Sequence, residues 1–347
     1  MKKLETTAKP TTRDLAREAG VSIATVDRVL NGRSGVRRQT IERVNKAVEE
    51  LGFVRDISAA NLARRRSYRF LFVLPAAPGQ FQSELLNRID EANKAFLSER
   101  VHVETVYVVE NDAHAIASTL DDVDPEQTDG IAIMAPASPQ VRDAIERLTR
   151  NGINVVSLIS RQVNSDEAHF VGIDNVAAGR TAARLMGWFS QGRDGDILVV
   201  CDTMNSIDTL ERRYGFDEII NADFSALRVL PSVECYSESD RTRVVLRNVI
   251  DRHPDVLGVY VAVSEAERVV PALADINTDK SLKIIAHERT PFTEAALEAG
   301  RISAVIAQNP GHVVRSALRV LRAWIDGRET IQSQEAIRIE ILIAENL

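Results

Sequence analysis

Residues 11–31 of the chain read TTRDLAREAGVSIATVDRVLN, and this stretch decides the fold of the N-terminal region. Its first half opens on hydroxyl residues that can cap a helix, carries apolar residues at helical spacing and stops at Gly20. Ser22 can cap a second helix from Ile23 to Asn31, and a third amphipathic helix is expected from about Arg38 to Leu51. A helix, a glycine turn, a second helix and a bracing third helix predict an all-α helix-turn-helix headpiece.

The distribution of charge agrees with this prediction. Residues 1–66 hold 15 Lys and Arg against 8 Asp and Glu, a net +7, whereas residues 67–347 hold 28 against 42, a net −14. A basic module on an acidic body is typical of a DNA-reading head attached to another domain. A solvated terminal arm, or a protein-interaction module with a polar helix face, would show the same charge.

The pattern TxxLAxxAGVSxATVxRVLN, from Thr12 to Asn31, resembles the headpiece of the lactose-repressor (LacI-type) family. The resemblance implies that Ile23, Ala24 and Arg28 face base edges, with Arg28 on a guanine. Asp27 departs from the family, which usually has a small hydroxyl residue there. Because a phosphate repels a carboxylate, Asp27 either pairs with a neighbouring arginine or accepts from a cytosine amino group.

Residues 56–67 link the headpiece, residues 1–55, to the rest of the chain. This segment is too short to fold alone and too basic to be core, so it is either a plain charged linker or a conditional helix. The resemblance implies a hinge helix that forms on DNA, where Leu62 opens a base step of the minor groove and Ala59 allows close approach. The implied DNA-binding residues are Thr12, Ser22, Ile23, Ala24, Thr25, Arg28, Asn31, Thr40, Ala59 and Leu62.

Residues 68–347 are predicted to form an α/β body, because short β-rich apolar runs alternate with helical stretches. A break at Gly192–Gly195 predicts two lobes, each with a doubly wound parallel sheet, around a ligand cleft. We assign the first lobe to about 68–188 and 307–327, and the second to about 189–306 and 328–347. The expected strands are Arg69–Leu74, Val101–Val109, Gly130–Met134, Asn154–Ile159, His169–Ile173, Asp196–Val200, Ser232–Cys235, Leu257–Val263, Leu282–Ala286 and Ala304–Ile306.

The resemblance extends into the body, where VGIDNxxAG (171–179), ERRxGF (211–216) and VIAQNP (305–310) are similar to the sugar-binding core shared with periplasmic sugar-binding proteins. It implies that Phe81 stacks on a sugar ring and that the Arg212 guanidinium binds sugar hydroxyls. It also implies that Glu288 accepts from the sugar and that Asp174 and Gln308 are further polar positions of the wall. Ser264-Glu265 replaces the family's Asn-Asp pair, which points away from a common hexose. Plain alternatives are a core Phe81, an exposed Arg212 paired with Glu211, and Asp174 as a helix cap. The implied effector-binding residues are Phe81, Asp174, Arg212, Ser264, Glu288 and Gln308.

The sequence lacks the signatures of enzymes and metal sites. It has no phosphate-binding loop, dinucleotide fingerprint or nucleophile elbow. His287-Glu288 begins a zinc-helix pattern, but Pro291 stands where the second histidine is required. Cys201 and Cys235 are expected to be buried thiols in a reducing compartment. We therefore expect no catalytic residue, cofactor or metal, and, with no apolar membrane span or signal peptide, a cytoplasmic location.

These observations favour a ligand-responsive transcriptional regulator, a repressor that binds palindromic double-stranded operator DNA as a homodimer. A small sugar or polyol bound between the lobes is the expected effector, and no membrane partner is expected. The chain ends without a leucine heptad, which favours a dimer over a coiled-coil tetramer. A regulator controlled by a protein partner, with a vestigial cleft, is the alternative, and a sugar-processing enzyme has only the fold to support it.

Overall fold

The computed structural model describes residues 10–30, 34–53, 66–76, 79–109, 112–162, 168–236, 238–276 and 282–347. The chain divides into two compact units, Met1–Arg66 and Ser67–Leu347. Among the residues described, no helix is both long enough and apolar enough to cross a lipid bilayer.

The first unit contains the three predicted helices, α1 (Thr12–Glu18), α2 (Ile23–Leu30) and α3 (Arg38–Leu51). A capping box starts α1, because the Thr11 side chain accepts from the backbone amide of Asp14, whose carboxylate accepts from the backbone amide of Thr11. Leu15, Val26 and Val44, one from each helix, are fully buried where the helices meet. The helix-turn-helix fold of the headpiece is confirmed.

The second unit begins with a parallel sheet in the order β2-β1-β3-β4-β5. Apolar residues fill both faces of its central strands, as expected of a parallel sheet covered by helices on both sides. Its strands are β1 (Tyr68–Pro75), β2 (Val101–Val108), β3 (Gly130–Ile133), β4 (Asn154–Leu158) and β5 (Ala168–Val171), and the connecting helices are α4 (Gln80–Phe96), α5 (Ala113–Asp121) and α6 (Pro139–Arg150).

A second sheet has the order β12-β11-β10-β9-β6-β7, with β8 also paired to β6. Its pairs are parallel except for β12, which runs antiparallel to β11 at the edge. Two short strands of this sheet, β7 and β12, are not predicted by the sequence pattern. The elements are α7 (Asn175–Ser190), β6 (Gly195–Cys201), α8 (Ile207–Asp223), β7 (Leu227–Val229), β8 (Val233–Glu234), α9 (Ser239–Arg252), β9 (Val256–Val261), α10 (Ala266–Ile276), β10 (Lys283–His287), α11 (Pro291–Glu298), β11 (Ala304–Ala307), α12 (Pro310–Ile325), α13 (Gln332–Glu335) and β12 (Glu340–Leu342).

The two-lobed α/β architecture is confirmed, but one predicted boundary is wrong. Helix α7 was assigned to the first lobe, up to residue 188, yet it packs on α8 and on strands β9 and β10 of the second sheet. Its buried side carries small residues and Met186, whose sulfur lies over Gly258 of β9. The chain therefore changes lobes before α7, whereas α12 packs on α4 and β4 of the first lobe, where residues 307–327 were expected.

Candidate functional site

Helix α2 displays four of the ten side chains that are predicted to contact DNA. Ile23, Ala24 and Arg28 are exposed, and Ile23 keeps 49% of its surface accessible. Exposed aliphatic side chains and an exposed arginine on the same helix suit contact with a thymine methyl and a guanine. The other described members of the set are also exposed or partly buried: Thr12, Ser22, Thr25 and Thr40.

The predicted cap of α2 is present. The Ser22 hydroxyl accepts from the backbone amide of Thr25 at 3.1 Å and lies 2.9 Å from the Thr25 hydroxyl. Asn31, Ala59 and Leu62 lie outside the described residues, so their DNA contacts stay predictions.

An arginine that sequence analysis did not single out holds the turn between α1 and α2. Arg43 of α3 donates to the carbonyl oxygens of Ala19 and Gly20, the latter at 3.2 Å. Gly20 has φ +61°, and a Cβ there would lie 2.6 Å from the Arg43 guanidinium. Glycine at this position therefore allows both the left-handed backbone conformation and the close approach of the Arg43 side chain. The sequence gives little signal for this contact, because Arg43 is one of many basic residues in the headpiece.

The second unit contains a cleft at the carboxyl ends of the strands of both sheets, the edge where ligands bind in open α/β folds. Its cavity measures about 170 Å³. The walls combine apolar, hydroxyl and acidic side chains from both lobes. They are formed by Pro75, Phe81, Gln82, Met134, Ala135, Pro136, Ile159, Ser160, Asp202, Thr203, Asn205, Ser206, Asp208, Thr209, Arg212, Val263, Ser264, Glu265 and Glu288.

Arg212 on α8 is the basic group of this cleft, and only 3% of its surface is exposed. Its Nε donates to Oδ1 of Asn175 at 2.9 Å, and its Nη1 donates to the carbonyl of Ala262 at 3.0 Å. These two bonds fix the plane of the guanidinium and leave Nη2 directed towards Glu288, whose Oε1 lies 4.0 Å away. Arg212 is therefore a buried, oriented donor, and the alternative of an exposed residue paired with Glu211 is wrong.

Two glycines bring α7 and α8 close enough for this arrangement. A Cβ on Gly179 would lie 2.0 Å from the carbonyl oxygen of Arg212, and a Cβ on Gly215 would lie 2.1 Å from that of Val176. Side chains at these positions would push the two backbones apart. Gly179 and Gly215, which belong to the motifs at 171–179 and 211–216, therefore place the backbone of Arg212 against α7. Helix α7 also supplies Asn175.

Glu288 follows β10 with φ +67° and is 1% exposed. Its Oε1 accepts from Nε2 of Gln308 at 2.8 Å. Burial raises the pKa of Glu288 to about 7, although Arg212 and Gln308 favour the ionised form. Gln308 therefore donates a hydrogen bond to Glu288 but does not itself line the cavity.

Beside Glu288, His287 is fully buried and shares a hydrogen bond of 2.7 Å with the Tyr260 hydroxyl through Nε2. Burial holds the pKa of His287 well below its usual value, with Arg212 acting in the same direction. The histidine that begins the zinc-helix pattern in the sequence is therefore a buried residue next to Glu288, hydrogen-bonded to Tyr260.

Asp208, in the first turn of α8, links the two lobes. Its Oδ1 accepts from the Ser160 hydroxyl of the first lobe at 3.3 Å and from the Ser206 hydroxyl of its own lobe. A second link joins Oε1 of Gln80 to the backbone amide of Phe292 at 3.1 Å. Sequence analysis did not select Asp208, which lies in no recognisable motif and is one of 50 acidic residues.

The structure brings four of the six predicted effector residues to the cavity wall: Phe81, Arg212, Ser264 and Glu288. Phe81 is also 2% exposed and packed in the apolar core of the first lobe, so only part of its ring is available to a ligand. Asp174 does not line the cavity. It is exposed and caps α7 through the backbone amide of Ala177 at 2.9 Å, which is the alternative that its position before a helix allowed.

Comparison with protein families matches both parts of the chain. Residues 11–56 match the model of bacterial regulatory proteins of the lacI family, and residues 70–329 match the periplasmic binding protein domain. A solved structure described as a putative LacI transcriptional regulator from Bacteroides fragilis superposes with a TM-score of 0.71 at 20% identity, covering 81% of this chain and 98% of that one.

Two relatives represent the two kinds of protein that the chain resembles. The HTH-type transcriptional regulator pepR1 of Lactobacillus delbrueckii subsp. lactis is 26% identical over 226 residues, 65% of each chain. The ribose import binding protein RbsB of Salmonella typhimurium is 24% identical over 213 residues, 60% of this chain and 69% of its own. The chain spans 65% of the length of pepR1 and smaller shares of other regulators that it matches, such as 49% of MalI of Escherichia coli. The chain therefore carries a headpiece of the lacI family of bacterial regulatory proteins at residues 11–56 and belongs, by the match over residues 70–329, to the proteins with a periplasmic binding protein domain.

Proposed function

We propose that the protein is a cytoplasmic transcriptional repressor that binds palindromic double-stranded operator DNA as a homodimer. Its operator affinity is set by a small sugar or polyol held between the two lobes of the body. Two headpieces on a two-fold dimer would read half-sites related by the same symmetry, which a single headpiece is too small to select. In this proposal the chain is a regulator and carries out no reaction on its ligand.

The observation that carries the effector proposal is the spacing of Arg212 and Glu288. Both side chains are almost fully buried, yet Nη2 and Oε1 are 4.0 Å apart, beyond hydrogen-bond length. A ligand hydroxyl can accept from the guanidinium and donate to the carboxyl group at once. Hydroxyl groups, which are both donors and acceptors, satisfy this pair better than an apolar ligand does. The name of the relative RbsB supports a sugar as the ligand.

Contact with both lobes allows the ligand to control how far the cleft closes. Residues of the first lobe, such as Phe81 and Ser160, face Arg212 and Glu288 of the second lobe across the cavity. A ligand that contacts both walls stabilises one degree of closure, and a ligand can shift an equilibrium by its difference in affinity for the two states. In the proposed dimer, closure changes the separation of the two connectors at residues 56–67, and with it the affinity for the operator.

A thermal-shift screen of the full-length protein against pentoses, hexoses, cyclitols, amino sugars and sugar phosphates tests the effector proposal. A ligand present at about 100 times its Kd stabilises the body by about 2.7 kcal/mol. We expect Arg212→Lys to abolish the shift, because lysine lacks the planar fork, and Arg213→Lys on the same helix to preserve it, because Arg213 points to Asp217 and away from the cavity. A screen with no hit on the folded protein contradicts the effector proposal.

DNA binding is tested by selecting duplexes from a random pool with the full-length protein. We expect an enriched palindrome, and an affinity for it that changes when the stabilising sugar is added. Failure to enrich any sequence would contradict the DNA-binding proposal. An operator affinity that does not change when a sugar is tightly bound would contradict the proposal that the sugar controls DNA binding.

A further inference from the structure

The ionisable side chains of the cleft are unequally divided between acids and bases. Among the described residues that line the cavity, Arg212 is the one with a cationic side chain, whereas four have carboxyl groups. The four are Asp202, Asp208, Glu265 and Glu288.

Basic groups lie close to Glu288 and Glu265. Glu288 faces Arg212, and Glu265 is held by Arg268 at 3.1 Å, from outside the cavity wall. Asp208 differs, because its hydrogen bonds come from the hydroxyls of Ser160 and Ser206, which are neutral. The described wall of the cleft therefore holds more acidic than basic groups, and Asp208 is an acid whose hydrogen-bond partners are neutral.

The neighbouring arginines do not restore the balance. Arg161, which follows Ser160, places its guanidinium 4.8 Å from the centre of the Phe170 ring, and it does not line the cavity. Arg213, which follows Arg212, donates to Asp217 at 2.8 Å. Both residues are adjacent in sequence to residues of the cavity wall, but their side chains have other partners.

We propose that the effector is a positively charged polyol, such as an amino sugar, whose hydroxyls bind between Arg212 and Glu288 and whose ammonium group lies beside Asp208. This inference rests on the proposed function, since it specifies the charge of the ligand in the same cleft. A partly enclosed, low-dielectric cavity strengthens the attraction between a carboxylate and an ammonium. The same field repels a phosphate or carboxylate ligand, so it selects against sugar phosphates and sugar acids.

The test compares ligands that differ mainly in charge. Glucose, galactose and mannose are each measured by calorimetry with the full-length protein at pH 7, together with their 2-amino, N-acetyl-2-amino and 6-phosphate forms. For the sugar configuration that binds, we expect the amine to have a Kd at least tenfold lower than both the neutral parent and the N-acetyl form. The phosphate is expected to bind at least tenfold more weakly than the parent.

Variants locate the origin of this preference. Asp208→Asn is expected to reduce the ratio of the parent Kd to the amine Kd to less than threefold. Glu265→Gln is a second variant that changes a carboxyl group of the cavity wall. Asp143→Asn, on α6 and outside the wall, is the matched control and is expected to keep the full ratio. The ratio in the unaltered protein tests the inference even if Asp208→Asn does not fold.

Each result has a distinct meaning. If a neutral or phosphorylated sugar binds as tightly as its amine, the inference on charge is overturned and the proposed effector site stands. If the amine preference survives in both cavity variants, the carboxylates named here are not its cause, and the inference is again overturned. If none of these sugars binds in any form, the inference is overturned, whereas the proposed effector class stands or falls with the thermal-shift screen, which also contains pentoses and cyclitols.

Discussion

The substitution Gly179→Ala tests whether the close contact of α7 and α8 positions Arg212. A Cβ at residue 179 would lie 2.0 Å from the carbonyl oxygen of Arg212, whereas Cβ atoms in proteins essentially never approach another heavy atom closer than 3.0 Å. The obstacle is main chain, so no side-chain rotation can relieve the clash. Helix α8 must therefore retreat from α7 by at least about 1 Å, a figure that follows from these two distances.

The expected magnitude is the difference between two opposing effects. Overpacking a close-packed interior typically costs about 1–3 kcal/mol. Replacing glycine by alanine inside a helix contributes about 1 kcal/mol in the opposite direction. We expect a net loss of up to about 2 kcal/mol, which for a domain of this size corresponds to a fall in Tm of up to roughly 8 °C.

The assay is thermal and urea unfolding of the full-length variant, followed by calorimetry with the sugar found in the screen. Retreat of α8 moves the Arg212 guanidinium away from Asn175 and Glu288, so we expect sugar affinity to fall by at least tenfold. Gly187→Ala in the same helix is the control. Its Cβ would lie 2.2 Å from the ring of Phe224, a partly buried side chain that can rotate away.

We expect the control to lose less stability and to keep its sugar affinity within twofold. A Gly179→Ala protein that is as stable as the unaltered one, and binds the sugar equally well, would refute the role of the close contact. Equal losses of affinity in both variants would show that the effect is not specific to the backbone contact at Arg212.

Three further predictions concern single residues. Burial raises the pKa of Glu288 from 4.5 to about 7, so the free energy of unfolding should fall as pH rises through this window, and Glu288→Gln should show a weaker pH dependence of Tm between pH 5 and 8. Gly20→Ala should destabilise the headpiece, measured by hydrogen exchange, because residue 20 has φ +61° and contacts Arg43. Arg28→Ala should weaken binding to the selected palindrome by about 1–3 kcal/mol and to random DNA by much less, in fluorescence anisotropy titrations.

The headpiece could be predicted from the sequence because its signals are local. The caps, the turn at Gly20 and the helical spacing of apolar residues all lie within a few residues of the structure that they specify. The lobe boundary could not be predicted in this way. Helix α7 is placed by long-range contacts, with α8 through Gly179 and with β9 through Met186, which no local sequence pattern reveals.

The site shows the same difference between local and long-range information. Motif resemblance led to Arg212 and Glu288, but it could not predict that they lie 4.0 Å apart and almost fully buried. Asp174 was misplaced because an aspartate before a helix can equally be a cap or a ligand contact. Asp208 was missed because its partner Ser160 is 48 residues away in the sequence and in the other lobe.

The position of Asp208 connects the charge of the proposed effector to the movement of the lobes. In the structure its carboxylate accepts the Ser160 hydroxyl across the cleft, so this one residue contributes both to the link between lobes and to the negative potential of the cavity. An ammonium group that binds Asp208 competes with Ser160 or bridges to it. In either case the ligand changes a contact whose geometry depends on closure, and a difference in affinity between open and closed states is what an effector requires. Charge recognition and control of closure would then be two consequences of the same carboxylate.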